Sequence, residues 1–338
     1  MEVFTDVFED VTKQGRKIPT SDYHETGLHP IIDQGQSAIA GYTDETDGLF
    51  TDVPAIIFGD HTRVLKYVDT PCFLGADGVK LLKAKIANSN YKYLYYVLSN
   101  ASIPNTGYNR HFKWLKEIYI PLPSADEQQK IVDTLDKISE LIALRKEQLA
   151  KLDRLVKSRF IELFGDPITN SQNRPTTDFI NVVMMQRGFD LPVQDRNQNG
   201  NIPVYGSNGA LDRHDVAKVF GGGVITGRSG TIGKVYYTEG DYWPLNTSLF
   251  SVNTHGNNVV YLAYLLQMYD LSRFTEGTGV PTLNRNKFHN KPIIDVPLVE
   301  QEAFATFVKQ TDKSKLAIQQ SLDKLELLKK SLMQEYFG

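Results

Sequence analysis

The feature that most constrains this chain is a run of apolar residues at helical spacing between residues 124 and 165. Their steps alternate three and four along one seam, which consists of Leu135, Ile138, Ile142, Arg145, Leu149, Leu152, Val156, Arg159 and Leu163. This alternation is typical of a helix that pairs with another helix along its length, here with two arginines interrupting the seam. Leu141, Leu144, Leu155 and Phe160 widen the apolar face, so we expect contacts with more than one neighbour.

The ends of this helix are also marked in the sequence. Ser124 and Glu127 form a capping box, in which each side chain satisfies a free backbone N–H of the other residue. Pro123 prevents the helix from extending backwards. At the far end Gly165 allows a left-handed turn, and Pro167 forbids continuation. About 40 residues at 1.5 Å each give a rod of roughly 60 Å, which is longer than an ordinary globular helix.

Residues 300–338 repeat this helix without a gap. Leu322 stands 173 positions after Leu149, and Phe337 stands 173 positions after Phe164. The repeat also extends through the preceding residues, where the offset drops to 168 and later rises to 175. The matched positions are Gly15 with Gly188, Pro19 with Pro192, Gly59 with Gly227, Lys66 with Lys234, Asn109 with Asn284, and Arg110 with Arg285. Such self-similarity indicates two copies of one unit rather than a solenoid of many repeats.

Each copy is predicted to be a mixed α/β globule followed by a long helix, which places the whole chain in the α+β class. The strand candidates are 55–58, 64–68, 79–82, 224–226, 234–237 and 249–252, and short amphipathic helices are expected at 92–100 and 260–268. The predicted divisions are a globule at 1–123, a helix at 124–165, a linker at 166–177, a globule at 178–297 and a helix at 298–338. If the two long helices pair antiparallel, the globules are related by an approximate two-fold axis, as in a symmetric dimer.

Composition restricts the class of protein further. The single cysteine, Cys72, excludes a disulfide framework and a thiolate metal cluster, and it fits a reducing cytoplasm. No charged-then-apolar leader opens the chain, and no apolar run reaches membrane-spanning length. The net charge of −3 differs from that of a protein which grips DNA alone, so any nucleic-acid contact must be a local patch or shared with a partner.

Catalytic motifs are missing from the sequence. An adenine methyltransferase needs a polar-Pro-Pro-aromatic loop for the flipped base, and the chain has no Pro-Pro. The glycine-rich run at 219–235 fails as a P-loop, since the spacing before Gly233 and Lys234 is wrong and Val235 replaces the Ser or Thr that would hold Mg²⁺. The seven histidines are scattered, which argues against a metal site. We therefore predict a non-catalytic chain.

Several motifs resemble those of one known family, the specificity (S) subunits of type I restriction-modification enzymes. They are RSGTIGKVYY at 228–237, WPLNT at 243–247, EGTGVPTLNRNKF at 276–288, and the proline-then-Glu-Gln lead-ins at 123–128 and 297–301. The first globule departs from the pattern because it lacks the R-x-G-x-I-G form. The chain also begins very close to its first repeat unit, as it would if a short N-terminal piece were missing.

The resemblance implies a function for each part of the chain. The globules would be target recognition domains that each read one half of a split site in double-stranded DNA. The helices would be a spacer that docks two methyltransferase (M) subunits, in a complex that also contains restriction (R) subunits. S-adenosylmethionine, ATP and Mg would belong to the partners and not to this chain, and the complex would work in the cytoplasm, without a membrane.

Base reading requires forked donors and amides, whereas phosphates are bound by Lys, Arg, Ser and Thr on loops. The predicted DNA-binding residues are Lys13, Arg16, Lys17, Arg63, Lys66, Tyr108, Arg110, Arg187, Arg213, Arg228, Ser229, Lys234, Asn284 and Arg285. Further loop candidates are Gln34, Gln36, His61, Asn105, Ser207, Asn208 and Thr278. Each could equally be an ordinary solvated side chain. The positions matched between copies, Lys66 with Lys234 and Arg110 with Arg285, are the preferred candidates for DNA contact.

The long helices are open to two interpretations, a structural coiled coil and a docking surface for partner subunits. The predicted partner contacts are Ile131, Leu135, Leu141, Leu144, Leu155, Phe304 and Leu328. An interaction scaffold with two ligand-binding modules and no DNA role remains an alternative function. A self-contained transferase or nuclease is disfavoured by the missing motifs.

Overall fold

A computed structural model of the chain describes residues 1–75, 78–277 and 281–338. The chain forms two compact units: unit 1 comprises Met1–Leu144 with Ser321–Gly338, and unit 2 comprises Arg145–Gln320. Both divisions fall inside a long helix, so the domain boundaries proposed from the sequence, which follow the helix ends, stay a prediction. No helix among the described residues is long and apolar enough to cross a membrane.

The described residues of unit 1 form three small sheets and a set of helices. Its strands are β1 (Glu2–Val3), β2 (Phe8–Asp10), β3 (His29–Ile32), β4 (Gly41–Thr43), β5 (Ala55–Gly59), β6 (Leu65–Val68), β7 (Phe73–Leu74), β8 (Val79–Ala84) and β9 (Tyr119–Ile120). Its helices are α1 (Phe4–Val7), α2 (Tyr91–Asn100), α3 (Phe112–Leu115) and the first part of α4 (Ala125–Phe164). The strand orders are β2-β8-β5-β6, β4-β3-β7 and β1-β9, and the β3–β7 pair is parallel.

Unit 2 repeats this arrangement. Its strands are β10 (Thr176–Asp178), β11 (Met184–Arg187), β12 (Ile202–Gly206), β13 (Gly209–His214), β14 (Gly223–Gly227), β15 (Val235–Thr238), β16 (Trp243–Pro244), β17 (Ser248–Asn253), β18 (Thr275–Glu276), β19 (Thr282–Leu283) and β20 (Pro292–Ile294). Its helices are α5 (Phe179–Val182), α6 (Val259–Tyr269) and α7 (Leu298–Phe337), which enters from unit 2 and ends in unit 1.

The sheets of unit 2 have the strand orders β11-β17-β14-β15, β13-β12-β16 and β10-β20. Each order is the counterpart of one in unit 1, including a parallel pair in the three-stranded sheet. A further pair, β18-β19, lies in unit 2. The predicted repeat of a mixed α+β unit is therefore confirmed at the level of topology, and each of the six predicted strands overlaps an observed one.

The core of unit 1 is completed by the end of the chain. Residues of α1, β5 and α2 pack with Ile131 and Leu135 of α4, and the C-terminal turns of α7 cover this cluster. The ring of Phe337 lies 5.7 Å from the buried ring of Tyr93, at a steep angle. The Tyr93 hydroxyl donates to the Pro121 carbonyl at 2.9 Å, so the ring is fixed on its polar side as well.

The core of unit 2 contains a cluster of four aromatic residues from α4, α6 and α7. Phe160 and Phe164, near the end of α4, pack edge-on against Phe304 of α7 at 5.5 and 5.6 Å. Phe164 also meets Tyr261 of α6 at 5.2 Å, and all four rings are buried. Edge-to-face packing of this kind adds to the stabilisation that burial of the rings provides.

Within unit 2 the two long helices run antiparallel. Phe160 of α4 contacts Phe304 of α7. About two turns earlier in α4, Asp153 forms an ion pair with Lys315 of α7 at 2.7 Å. Because the residue number in α7 rises as the number in α4 falls, the segments have opposite directions. This agrees with the pairing that the heptad seam predicts.

The termini of the long helices follow the sequence signals. The Glu127 N–H donates to Ser124 Oγ at 3.3 Å, and Gly165 adopts a left-handed φ of +77° with its N–H on the Ile161 carbonyl at 2.8 Å. The segment after Gly165 is not a free linker, because it caps the helix. Arg174 donates to the Leu163 carbonyl at 2.6 Å and pairs with Glu300 at 2.8 Å.

The Glu-Gln lead-ins have a structural role. Gln301 is buried, and its amide donates to the Val296 carbonyl and to Asn257 Oδ1, each at 2.7 Å, while Oε1 accepts from the Asn258 N–H at 2.9 Å. Gln128 donates to the Pro123 carbonyl at 3.0 Å, which is the equivalent bond in unit 1. Each glutamine thus ties the start of a long helix to the strand-end segment before it.

Candidate nucleic-acid interface

In unit 2, three segments far apart in the sequence meet at the end of β14. The Arg228 N–H donates to the Thr247 carbonyl at 2.9 Å, and the Leu283 N–H donates to the Arg228 carbonyl at 2.8 Å. Ser229 also forms an isolated bridge with Thr282. These backbone bonds hold the loop after β14 against β19 and the residues that follow it.

A cleft of about 350 Å³ lies where these segments meet. It is lined by Arg187, Arg228, Leu249, Glu276, Thr282, Leu283, Asn284, Arg285 and Asn286. The side chains of Arg187, Arg228 and Arg285 make no hydrogen bond or ion pair with any residue that the structure describes. Three arginine guanidinium groups therefore line one cleft without a partner among the described residues. Such an arrangement suits recognition of a phosphate or a guanine.

The acidic residue of the cleft is already paired. Lys287 donates to Glu276 Oε1 at 2.8 Å, and this hydrogen bond lowers the pKa of the Glu276 carboxyl. Asn284 accepts from the Asn286 N–H at 3.1 Å and so caps the short 3-10 helix Arg285–Lys287. Glu276, Asn286 and Lys287 were not among the predicted residues, although they lie in the segment 276–288 that carries the family resemblance.

The remaining candidates of unit 2 lie on the turn between β12 and β13, in the loop before β15 and on β13 itself. An added Cβ on Gly227 would lie 3.1 Å from Ser207 Cβ, so the turn between β12 and β13 approaches the loop after β14. Lys234 is exposed just before β15. Arg213 is exposed on β13, where its backbone pairs with Pro203. Thr278 lies outside the described residues.

In unit 1, the loop after β5 is joined to the segment before α3. The His111 N–H and Nδ1 both lie within hydrogen-bond distance of the Asp60 carbonyl, at 2.8 and 2.9 Å. The Asp60 carboxylate is buried and accepts from the Phe112 N–H at 2.8 Å. Asp60 was missed from the sequence, since nothing in the pattern distinguishes it from other aspartates.

Exposed side chains surround this junction. Tyr108 is 87% exposed, and its ring stacks on the His61 ring at 4.6 Å. Arg110 is exposed and has no side-chain partner among the described residues. The His61 N–H donates to Gln34 Oε1 at 3.2 Å, which brings the β3–β4 loop to the same place.

Other basic candidates of unit 1 are engaged by their own fold. Lys66 is 8% exposed and donates to the Ser37 carbonyl at 2.6 Å beside Asp33 at 3.4 Å. Arg63 donates to the Ile103 carbonyl at 3.2 Å. Arg16 pairs with Glu45 at 2.9 Å. These contacts favour a structural role, and DNA contact by these three residues stays a prediction without support from the geometry.

Lys13 and Lys17 lie near Arg16 on the segment between β2 and β3 and are exposed. Lys17 forms a bridge with Leu74 through its backbone. Asn105 accepts from the Gly107 N–H at 3.2 Å and so shapes the loop that carries Tyr108.

The structure corrects the first matched pair between the copies. The loop after β5 spans 60–64, whereas the loop after β14 spans 228–234 and is two residues longer. Lys66 is the second residue of its strand, so its counterpart is Tyr236, while Lys234 belongs to the longer loop. The equivalence of Lys66 and Lys234 was wrong because a constant offset was carried across this insertion.

The second matched pair is displaced as well. His111 donates its N–H to the carbonyl of the first residue after β5, and Leu283 donates to the carbonyl of the first residue after β14. His111 and Leu283 are therefore equivalent, so Arg110 precedes that position and Arg285 follows it by two. The two arginines do not owe their similarity to a shared structural position.

The predicted partner contacts on the helices divide into two sets. Ile131, Leu135 and Phe304 are buried in the cores of their own units and are therefore not proposed as partner contacts. Leu141, Leu144, Leu155 and Leu328 are 37–49% exposed, so they leave apolar surface open on the long helices.

Comparison with known proteins identifies the family. A family model described as type I restriction modification DNA specificity domain matches residues 3–154 and again residues 169–328. The chain belongs to this family, and the two matches correspond to its two repeats. Specificity subunits of this family are non-catalytic and carry no cofactor of their own, and the described residues contain no cluster of side chains that could hold a metal ion.

One curated relative is the specificity subunit of the type I restriction enzyme EcoR124I/EcoR124II from Escherichia coli. It is 32% identical over 139 residues, which cover 37% of this chain and 34% of that protein. The aligned part therefore spans about a third of the relative's length.

Two solved structures share the fold over nearly the whole chain. The type I restriction-modification S subunit from M. genitalium has a TM-score of 0.65 at 16% identity, and the match covers 100% of this chain and 98% of the M. genitalium chain. A structure described as the basis of complex assembly and conformational transition of the type I R-M system has a TM-score of 0.56 at 16% identity, with 99% and 95% covered. At this identity both show the fold alone.

Proposed function

We propose that the chain is the DNA-specificity subunit of a type I restriction-modification complex and reads a bipartite site in double-stranded DNA. The arginine cleft of unit 2 carries this proposal. Arg187, Arg228 and Arg285 line one cleft without partners among the described residues, at the end of a sheet whose topology is repeated in unit 1. Two similar units with separate loop clusters suit a target with two half-sites.

Methyl transfer and DNA cleavage would belong to the partner subunits, which would bring S-adenosylmethionine, ATP and Mg. The exposed leucines Leu141, Leu144, Leu155 and Leu328 support docking of two methyltransferase subunits on the long helices. Restriction subunits would join this assembly, and a role on host DNA places the complex in the cytoplasm. The predicted divisions at 1–123, 124–165, 166–177, 178–297 and 298–338 would be recognition domain, spacer, linker, recognition domain and spacer.

A mobility-shift assay tests the proposal. The full chain is mixed with methyltransferase subunits from the same host and with DNA that carries the motif methylated in that host. We expect retention of this DNA and much weaker retention of a duplex with one half-site scrambled. Retention of neither duplex, with the subunits shown to be bound, would favour an interaction scaffold without a DNA role.

A further inference from the structure

The loop that carries Tyr108 presents an aromatic pair at the junction already described in unit 1. The rings of Tyr108 and His61 are 4.6 Å apart and only 7° from parallel. Tyr108 is 87% exposed, whereas His61 is half-buried. The outer face of the Tyr108 ring is therefore open to pack against a ligand, while its inner face is held by the stacked His61 ring.

This loop is held in shape by its own polar groups. Asn105 Oδ1 accepts from the Gly107 N–H at 3.2 Å, and Asn109 Nδ2 donates to Thr106 Oγ1 at 3.3 Å. Gly107 has a φ of +76°, which few other residues adopt without strain. The position of Tyr108 is thus set before any ligand arrives, which lowers the entropy cost of binding.

His61 is fixed on several sides. Its Nδ1–H lies 3.2 Å from the Asn109 carbonyl, so in the neutral ring Nε2 is a hydrogen-bond acceptor. A Cβ added to Gly78 would lie 2.7 Å from His61 Cδ2, which shows how closely the backbone approaches the ring. No hydrogen bond from the described residues reaches Nε2.

This junction differs chemically from the cleft of unit 2. Unit 2 offers three guanidinium groups that have no hydrogen-bond or ion-pair partner among the described residues, and guanidinium groups are donors only. Unit 1 offers an aromatic face, an acceptor nitrogen and Arg110. In the major groove, an acceptor complements the amino group of adenine N6 or cytosine N4, whereas arginine complements guanine.

We propose that Tyr108 and His61 are the base-contacting pair of unit 1, and that His61 Nε2 accepts a hydrogen bond from the amino group of an adenine or a cytosine. Tyr108 packs against the neighbouring base and holds the imidazole in place. This inference rests on the proposed function, because it assigns chemistry to one of the two recognition sites. It also means that the two half-sites differ in the bases that are read.

Three variants separate the parts of the pair. His61→Phe keeps the stacking and removes the acceptor, Tyr108→Phe keeps the ring and removes the hydroxyl, and Tyr108→Ala removes the platform. Tyr119→Ala is the matched control, since Tyr119 is also an exposed tyrosine of unit 1 but lies on β9. The complex of the full chain with its methyltransferase subunits is tested on duplexes in which each base pair of the target is changed in turn.

For His61→Phe we expect discrimination at one base pair of one half-site to fall about tenfold, with the other half-site unaffected. Tyr108→Ala should weaken specific binding about tenfold and relax the same half-site, Tyr108→Phe should lose less binding than Tyr108→Ala because it keeps the ring, and Tyr119→Ala should resemble the wild type. Thermal unfolding of each variant checks that the fold is retained, which the exposure of Tyr108 predicts.

Two outcomes would overturn the assignment. An unchanged base preference in both His61→Phe and Tyr108→Ala would show that the pair does not touch bases. An equal loss of affinity for every duplex would show that it contacts only the DNA backbone. A wild-type complex without any sequence preference would contradict the proposed function itself, and this inference with it.

Discussion

At the scale of single residues, a basic side chain is available for DNA only if it is not already engaged in hydrogen bonds or ion pairs within its own unit. Arg228 follows β14 in unit 2 and Lys66 lies on β6 in unit 1, yet Arg228 has no partner among the described residues, whereas Lys66 is buried beside Asp33 and the Ser37 carbonyl. A side chain of the first kind can bind DNA at little cost, while the second must first give up its contacts.

The cleft arginines should dominate the ionic part of DNA binding. If Arg228 reads a base, Arg228→Ala is expected to weaken specific binding by about 1–3 kcal/mol. If Arg228 binds a phosphate, the variant should reduce the slope of log binding constant against log salt concentration by about one. Titration at several salt concentrations distinguishes these results. Arg16→Ala is the control, because Arg16 is already paired with Glu45, and a loss as large as that of Arg228→Ala would contradict the distinction.

Lys66 should matter for stability and not for recognition. Lys66→Met removes the donor to the Ser37 carbonyl and the cation beside Asp33, so we expect a loss of about 1–3 kcal/mol in the free energy of unfolding. Lys234→Met, which changes an exposed lysine of unit 2, is the control and should change this free energy by less than about 0.5 kcal/mol. Chemical denaturation measures both, and equal effects would contradict the structural role of Lys66.

His289 should make unit 2 sensitive to acid. Its pKa is lowered from the ordinary value first by burial and then by the nearby charge of Arg285, and its Nε2 accepts from the Met185 N–H at 3.2 Å. A base with a lowered folded pKa contributes stability that is present above its unfolded pKa of about 6.5 and is lost as pH falls below it. Thermal unfolding between pH 8 and pH 5 should show this decline. In His289→Gln the decline should be shallower, and an identical pH profile would exclude His289 as its source.

At the scale of elements, each long helix ends in an aromatic pocket of a globular unit. Phe164 reaches Tyr261 at 5.2 Å in unit 2, and Phe337 reaches Tyr93 at 5.7 Å in unit 1. The helices alone have polar surfaces over much of their length, so tertiary packing of their ends and apolar faces supplies most of their stability. The two contacts differ in burial, since Phe164 is 1% exposed while Phe337 is only partly buried.

Truncation of the two phenylalanines should follow this difference. Phe164→Ala is expected to cost about 3–5 kcal/mol, as a fully buried aromatic residue does, and Phe337→Ala should cost less. Hydrogen exchange in α2 and α6 would show which unit is loosened by each change. Leu327→Ala serves as the control because Leu327 is 66% exposed. The reverse order of the two costs would contradict the packing described.

At the scale of the whole molecule, the chain joins two topologically equivalent units through two helices of 40 residues each. The units are not chemically equivalent at their loop clusters. One has an arginine cleft, and the other has an aromatic pair beside Arg110. A repeated fold with different loops is what reading of two different half-sites requires, because the shared scaffold sets position and the loops set specificity.

The proposed spacer function can be tested by shortening the helices. Removal of four residues from α4 together with the equivalent four from α7 shortens each by about 6 Å. At about 3.4 Å per base pair this corresponds to roughly two base pairs. A complex with both deletions should therefore prefer a shorter gap between the half-sites, as measured by binding to duplexes with graded gaps. An unchanged preferred gap in a folded, assembled variant would show that the helices do not set the distance.

The sequence by itself determined the repeat, the long helices with their ends, and the short strands between them. These features depend on local periodicity and on residues such as Ser124, Gly165 and Pro167, whose backbone preferences act within a few positions. The same information placed Arg228 and Arg285 in motifs that resemble those of specificity subunits.

Only the tertiary structure decided which side chains are free to act. Lys66 is engaged by groups about 30 residues away, Arg174 by Glu300 across 126 positions, and Ile131 and Leu135 by the core of unit 1. A loop longer by two residues also makes Tyr236, and not Lys234, the counterpart of Lys66. Burial and pairing of this kind depend on distances in space between segments that are remote in the chain, and no pattern of spacing along the sequence records them.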